Sequence, residues 1–127
     1  MPIGVAAAAA PNLAFGTAET TIQTSAPAKG IRVGQKVLII AWITMTTGGT
    51  QTNTTLKIRR GSGTGGTEVS VSSVGEAIYA AAGSTEDHVI MAVDNAANDD
   101  PVYTFTGTTG VAAGTILQSA IVVLPIG

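Results

Sequence analysis

Apolar and polar positions alternate with a period of two along most of this chain, which is the signature of half-buried β-strands. In "TNTTLKIRR", Thr52–Arg60, Leu56 and Ile58 point one way and Thr55, Lys57 and Arg59 the other. Tyr103 and Phe105 share a face of "PVYTFTG", Pro101–Gly107. The same reading predicts strands over Glu19–Ala26, Gln35–Thr47, Thr67–Val74, Glu76–Ala82, Glu86–Asp94 and Thr115–Ile126. Turn residues separate them at Gly48-Gly49, Gly61–Gly66, Gly83-Ser84, Asn95–Asp100 and Gly107–Gly110. About eight short strands at this spacing predict an all-β fold, an antiparallel sandwich or barrel. No window carries a capped helical stripe. The alanine run Ala6–Ala10 is too short to repay helix nucleation and is read as part of an extended N-terminal arm, residues 1–14, ahead of one domain, residues 15–127.

Two strands break the alternation. Val37, Ile39, Ala41, Ile43 and Met45 form one apolar face, yet Leu38, Ile40 and Trp42 make the opposite face apolar as well. In the last strand Ile116, Ala120, Val122 and Leu124 oppose Leu117, Ile121 and Val123. Val89, Met91 and Val93 opposite Ile90 and Ala92 suggest a third such strand. A strand apolar on both faces must be covered on both, and a two-layer sandwich covers only one. The chain has no spare helix or sheet for the second cover, so a subunit interface is expected. Leu38, Ile40, Trp42, Leu117, Ile121 and Val123 are assigned to it.

Composition strengthens this expectation. Hydrophobic residues make up 45% of the chain and charged residues only 11%, too few charges to cover a small domain without association. Six Lys and Arg against eight Asp and Glu leave a net charge of −2, with no basic stripe for nucleic acid. The absence of cysteine excludes disulfides and thiol chemistry. The N-terminus lacks the basic start of a signal peptide, and no apolar run reaches the ~18–20 residues of a membrane span. Synthesis without a secretion signal and no membrane partner are expected.

Candidate chemistry is sparse. Gly61, Gly63 and Gly66 in "RRGSGTGGTEVS" fall into the register of a dinucleotide fingerprint, but that chemistry needs a helix N-terminus after the glycines. The residues after them, Thr67–Val74, alternate at period two, so the stretch reads as a pliant hairpin tip. Arg59 and Arg60 at its base are candidate contacts to an anionic partner. The acidic stretch Asp94–Asp100 lacks the ligand spacing of a helix-loop-helix calcium site, although calcium is an open alternative there. His88 is the only histidine and has no nucleophile motif beside it. One Trp, two Tyr and two Phe offer few sugar-stacking platforms, and Trp42 lies in the most apolar strand. No enzyme, metal or cofactor is expected.

The strand ending in Lys57-Ile58-Arg59-Arg60, the loop "GSGTGGT", the alternating strand after it and the terminal "GTILQSAIVVLPIG" resemble small bacteriophage virion proteins. The resemblance covers Phe15 to Gly127 and is one of pattern. It implies a jelly roll like that of the tumour-necrosis-factor family, assembled as a homotrimer. It implies a capsid decoration (cement) protein on the outer surface of a virion, made in the host cytoplasm, with the major capsid protein lattice as partner. The alternative it leaves open is a tail-fibre or baseplate tip that recognises a host glycan or protein. The arm, with Ile3, Val5 and Leu13, then becomes a candidate capsid contact.

Overall fold

The computed structural model describes residues 4–6, 13–47, 54–74, 85–109 and 114–126. Among the described residues, nine strands form two antiparallel sheets. In chain order they are β1 (Gly4–Ala6), β2 (Leu13–Phe15), β3 (Thr20–Thr24), β4 (Lys36–Thr47), β5 (Thr54–Arg60), β6 (Glu68–Val74), β7 (Thr85–Asn95), β8 (Tyr103–Thr109) and β9 (Gly114–Pro125). One sheet runs β1-β9-β4-β7, with β2 also pairing β9; the other runs β3-β8-β5-β6. The chain crosses repeatedly between the sheets, which gives the expected antiparallel jelly-roll sandwich.

The core obeys the alternation. Val37, Ile39, Ala41, Ile43 and Met45 of β4 are fully buried and meet Leu56 and Ile58 of β5 and Tyr103 and Phe105 of β8. The expected strand at Glu76–Ala82 lies outside the described residues. The N-terminal arm supplies two strands that sequence alternation missed. Both are three residues long, and both lie antiparallel on the same edge of β9, at Val123–Ile121 and Ile116–Gly114. The expected arm boundary at residue 14 therefore falls inside β2, where Phe15 is buried.

The apolar strand β9 carries the main correction. Its pairing with β4 skips Leu117: Met45 faces Ile116, but Thr44 faces Gln118. This bulge lets Ile116 and Ser119 both point inward. Beyond it Ile121 and Val123 pair with Ala41 and Ile39 and are completely buried inside the chain. Their assignment to a subunit interface is therefore incorrect. Ala120, Val122 and Leu124 take the outward positions. Where both faces of a strand are apolar, alternation separates them but cannot choose the inner one; the register with β4 does.

Candidate subunit interface

The outer face of the β9-β4-β7 sheet is built from three consecutive cross-strand rows. Val93, Leu38 and Leu124 form one; Met91, Ile40 and Val122 the next; Val89, Trp42 and Ala120 the third. The neighbouring row, Asp87, Thr44 and Gln118, is polar, and the Thr44 hydroxyl donates to the Asp87 carboxylate. The row beyond it, Thr85, Thr46 and Thr115, is threonine throughout. The face is thus apolar at one end and polar at the other. Along β7, Val89, Met91 and Val93 are 62%, 61% and 55% exposed, and Trp42 on β4 is 36% exposed. Scattered apolar side chains are ordinary on a surface, but contiguous rows of them mark a contact site. Leu38, Ile40 and Trp42 lie on the face opposite the buried one, as their alternation indicates. The β7 contribution is visible in the sequence only as a third doubly apolar strand.

The arginines at the glycine loop have partners within the chain. Arg59 donates from Nε and Nη2 to Glu19 at 2.6 and 2.8 Å and from Nη1 to the Gly66 carbonyl at 2.8 Å. Glu19 also accepts from the Thr106 hydroxyl at 2.6 Å. The Arg59 guanidinium holds the Glu19 carboxyl below its ordinary range, against the opposing effect of burial. Arg60 donates from Nε and Nη2 to Asp94 at 2.8 and 2.6 Å, and the Tyr103 hydroxyl donates to the same carboxylate at 2.8 Å. Burial pushes the Asp94 carboxyl up, but Arg60 and Tyr103 outweigh it and hold it below the usual value. Burial and the adjacent Asp94 in turn push the Tyr103 hydroxyl upward. Both guanidiniums are therefore engaged by carboxylates of the same chain, which argues against the open anion contact expected of them. The Asp94 cluster is a pin: β5 and β8 belong to one sheet, β7 to the other.

The glycine loop is no phosphate cradle. The Gly61 N–H donates to the Val102 carbonyl at 2.7 Å and the Gly63 N–H to the Thr104 hydroxyl at 3.1 Å. That hydroxyl donates onward to the Gly61 carbonyl at 2.6 Å. Gly61 and Gly63 have φ of 80° and 83°, a region that glycine enters without strain. A Cβ at Gly66 would stand 1.8 Å from the Arg60 carbonyl oxygen, so the closing turn admits no side chain. The hairpin tip is tied to β8 rather than pliant.

The acidic loop is similarly occupied. Asp99 accepts from the Val33 N–H at 2.9 Å, and Asp100, at φ 49°, accepts from the Gly30 N–H at 2.8 Å. These carboxylates hold the 28–35 loop over one end of the sandwich. His88 Nε2 lies 2.7 Å from Glu86 Oε1 on the same strand. No group of three or more His, Cys, Asp or Glu arranged to hold a metal occurs among the described residues. Of the arm residues, Leu13 packs against the core and Val5 lies in β1 opposite Val122, while Ile3 lies outside the described residues.

No protein-family model matches the chain, and no curated protein matches it in sequence. Solved structures do match its fold. A chain of the infectious bursal disease virus Gt strain aligns over 97% of this chain with a TM-score of 0.62 and 14% identity. The VP2 subviral particle of the same virus aligns over 97% at a TM-score of 0.62 and 15% identity. This chain spans about a third of the length of those virus chains, 33% and 32% respectively. The Eiger TNF of S. frugiperda aligns over 100% of this chain and 94% of its own, with a TM-score of 0.58 and 10% identity. At such identities the likeness is one of fold: a jelly-roll sandwich of the kind found in virus particles and in the tumour-necrosis-factor family.

Proposed function

We propose that this chain is a structural, non-enzymatic virion protein, a capsid decoration (cement) protein that binds the outside of a phage head as a homotrimer and stabilises it. The observation that carries the reading is the triple row of apolar side chains on the outer face of the β9-β4-β7 sheet. The inner face of that sheet already forms the core, so the outer face is surplus to folding. Covering Val89, Met91 and Val93, each more than half exposed, contributes on the order of 4 kcal/mol per subunit at ~25 cal/mol per Å² of apolar area. Leu38, Ile40, Trp42, Val122 and Leu124 add to this gross term, and association entropy offsets part of it. The polar rows from Asp87 to Thr115 bound the contact at one end.

Cementing is a consequence of rigidity. Each subunit presents loops fixed by carboxylate–guanidinium and carboxylate–amide bonds, and a trimer of them bridges neighbouring capsomers at several points at once. Multivalent attachment raises avidity without requiring a strong single contact. The fold shared with virus-particle chains supports a virion role, and the location this implies is the outer capsid surface. The test is reconstitution with undecorated heads of the phage that encodes the protein. Saturable, stoichiometric binding with increased resistance of the heads to heat is expected. Failure to bind, or binding with no gain in stability, overturns cementing, and strong binding on a glycan array points instead to the receptor-tip role.

A further inference from the structure

The positive charge of this chain is unevenly placed. Of its six Lys and Arg, three fall in the eight residues "KGIRVGQK", Lys29–Lys36, which hold no acid. The other three are each paired with a carboxylate: Lys57 with Glu68 at 3.8 Å, Arg59 with Glu19 at 2.6 Å and Arg60 with Asp94 at 2.6 Å. In the loop, Lys29 and Lys36 are exposed and make no ion pair among the described residues. Arg32 stands 3.7 Å from Asp99, but both side chains are more than half exposed, and a long pair in water is weak. Val33 beside it is 64% exposed. Yet the loop itself is held firmly. Every backbone N–H from Lys29 to Gln35 has an acceptor. Asp100 accepts from the Gly30 N–H at 2.8 Å, Asp99 from the Val33 N–H at 2.9 Å and the Ala96 carbonyl from the Gly34 N–H at 2.7 Å. Ala28 and Ile31 are completely buried. The nearby carboxylates thus hold the backbone, and the cationic side chains are left to solvent.

From these observations we infer that the loop Lys29–Lys36 is the surface that docks on the capsid shell, and that it meets an acidic protein surface there: carboxylates opposite Lys29 and Arg32, around an apolar recess filled by Val33. The inference rests on the reading of the chain as a head-binding trimer. Charge complementarity selects both the partner and the end that faces it. The other end of β4 pairs with Glu86 and Asp87, which an acidic shell surface repels. A net charge of −2 gives the chain as a whole no long-range attraction to a polyanion such as DNA, so short-range pairing at the loop carries the contact. A backbone already fixed loses little freedom on binding, which favours docking. Arginine is among the residues that concentrate binding energy at protein interfaces. Lys36 lies two residues before Leu38, so the loop adjoins the apolar rows that join the subunits. Cyclic symmetry sets its three copies at one level along the axis, where they engage the shell together.

The test uses undecorated heads of the encoding phage and full-length variants. Arg32→Gln removes the charge without setting a second carboxylate beside Asp99, and Val33→Ser removes the apolar tip. Lys57→Gln, on the other sheet, is the charge-matched control. All three should keep the Tm and the solution mass of the wild type. Wild-type binding should weaken severalfold as salt rises from ~50 to ~500 mM, because exposed charges are screened. Arg32→Gln and Val33→Ser should each weaken it about tenfold, and Lys57→Gln should leave it unchanged. Loop variants that bind like the wild type, or a control that loses as much as Arg32→Gln, overturn the docking loop and leave cementing standing. A wild type that binds no heads overturns both. Wild-type binding to bare double-stranded DNA as tight as to heads overturns the acidic protein partner.

Discussion

Replacing Asp94 tests the pin between the sheets. Its side chain is 7% exposed, against 39% for Arg60, and it accepts two bonds from Arg60 and one from Tyr103. Removing one partner of a buried pair costs ~3–5 kcal/mol, because a charge is left behind without compensation. In Asp94→Asn the orphan is Arg60, which keeps much of its water, and the amide still accepts from Tyr103. The expected loss is therefore about 2–3 kcal/mol. For a domain of this length that lowers Tm by about 6–15 °C at fixed protein concentration. Arg60→Met is the harsher change, because it strands the buried carboxylate with only Tyr103. The pH dependence distinguishes the two. In the native protein the folded pKa of Asp94 is depressed, so its contribution is complete above the unfolded value and is lost as pH falls through the folded one. The Tm gap between wild type and Asp94→Asn should close only below the ordinary carboxylate range. Without Arg60 the largest remaining influence is burial, which raises the carboxyl, so the Arg60→Met gap should begin to close at a higher pH than the Asp94→Asn gap. Thermal unfolding by circular dichroism from neutral to acid pH reads both. An Asp94→Asn shift under about 2 °C at neutral pH, or an Arg60→Met gap indifferent to pH, refutes the pin.

Three further substitutions and a ligand challenge test the loop and the pin. Gly66→Ala drives a methyl group into the Arg60 carbonyl and detaches Arg59 from the turn, and should cost at least ~3 kcal/mol in urea unfolding. Gly65→Ala, where an added Cβ meets nothing within 4 Å, should stay within about 1 kcal/mol of wild type. Tyr103→Phe removes one of the three bonds to Asp94 and should cost about 1–2 kcal/mol by the same measurement. Millimolar NAD or ATP should leave Tm unchanged, since the Gly61 and Gly63 N–H groups are already bonded; a saturable upward shift would show that the loop opens for phosphate.

Much of the fold is legible in the sequence because alternation is a local signal. Leu56 and Ile58 are buried, Tyr103 and Phe105 share the inner face, and Leu38, Ile40 and Trp42 lie on the outer one, all as their spacing indicates. The glycine fingerprint fails on the sequence alone, because an alternating strand comes after it. Local pattern does not supply pairing. The partners of Arg59 and Arg60 lie 40 and 34 residues away, so two arginines at a loop base look available in the sequence when Glu19 and Asp94 already hold them. The orientation of β9 is hidden for a related reason: both its faces are apolar, and only the register with β4 and the bulge at Leu117 turn Ile121 and Val123 inward. The strands of the N-terminal arm escape notice because three-residue strands are too short to alternate visibly.

The most direct test of the account is the solution mass of the intact protein and of Trp42→Asp, by multi-angle light scattering. Trp42 stands mid-row on the outer face, so a carboxylate there is buried unpaired only if a neighbour covers it. The account predicts about 38 kDa for the wild type, three chains of 12.6 kDa, and a folded monomer for the variant. A monomeric wild type, or a Trp42→Asp protein that remains trimeric, contradicts it.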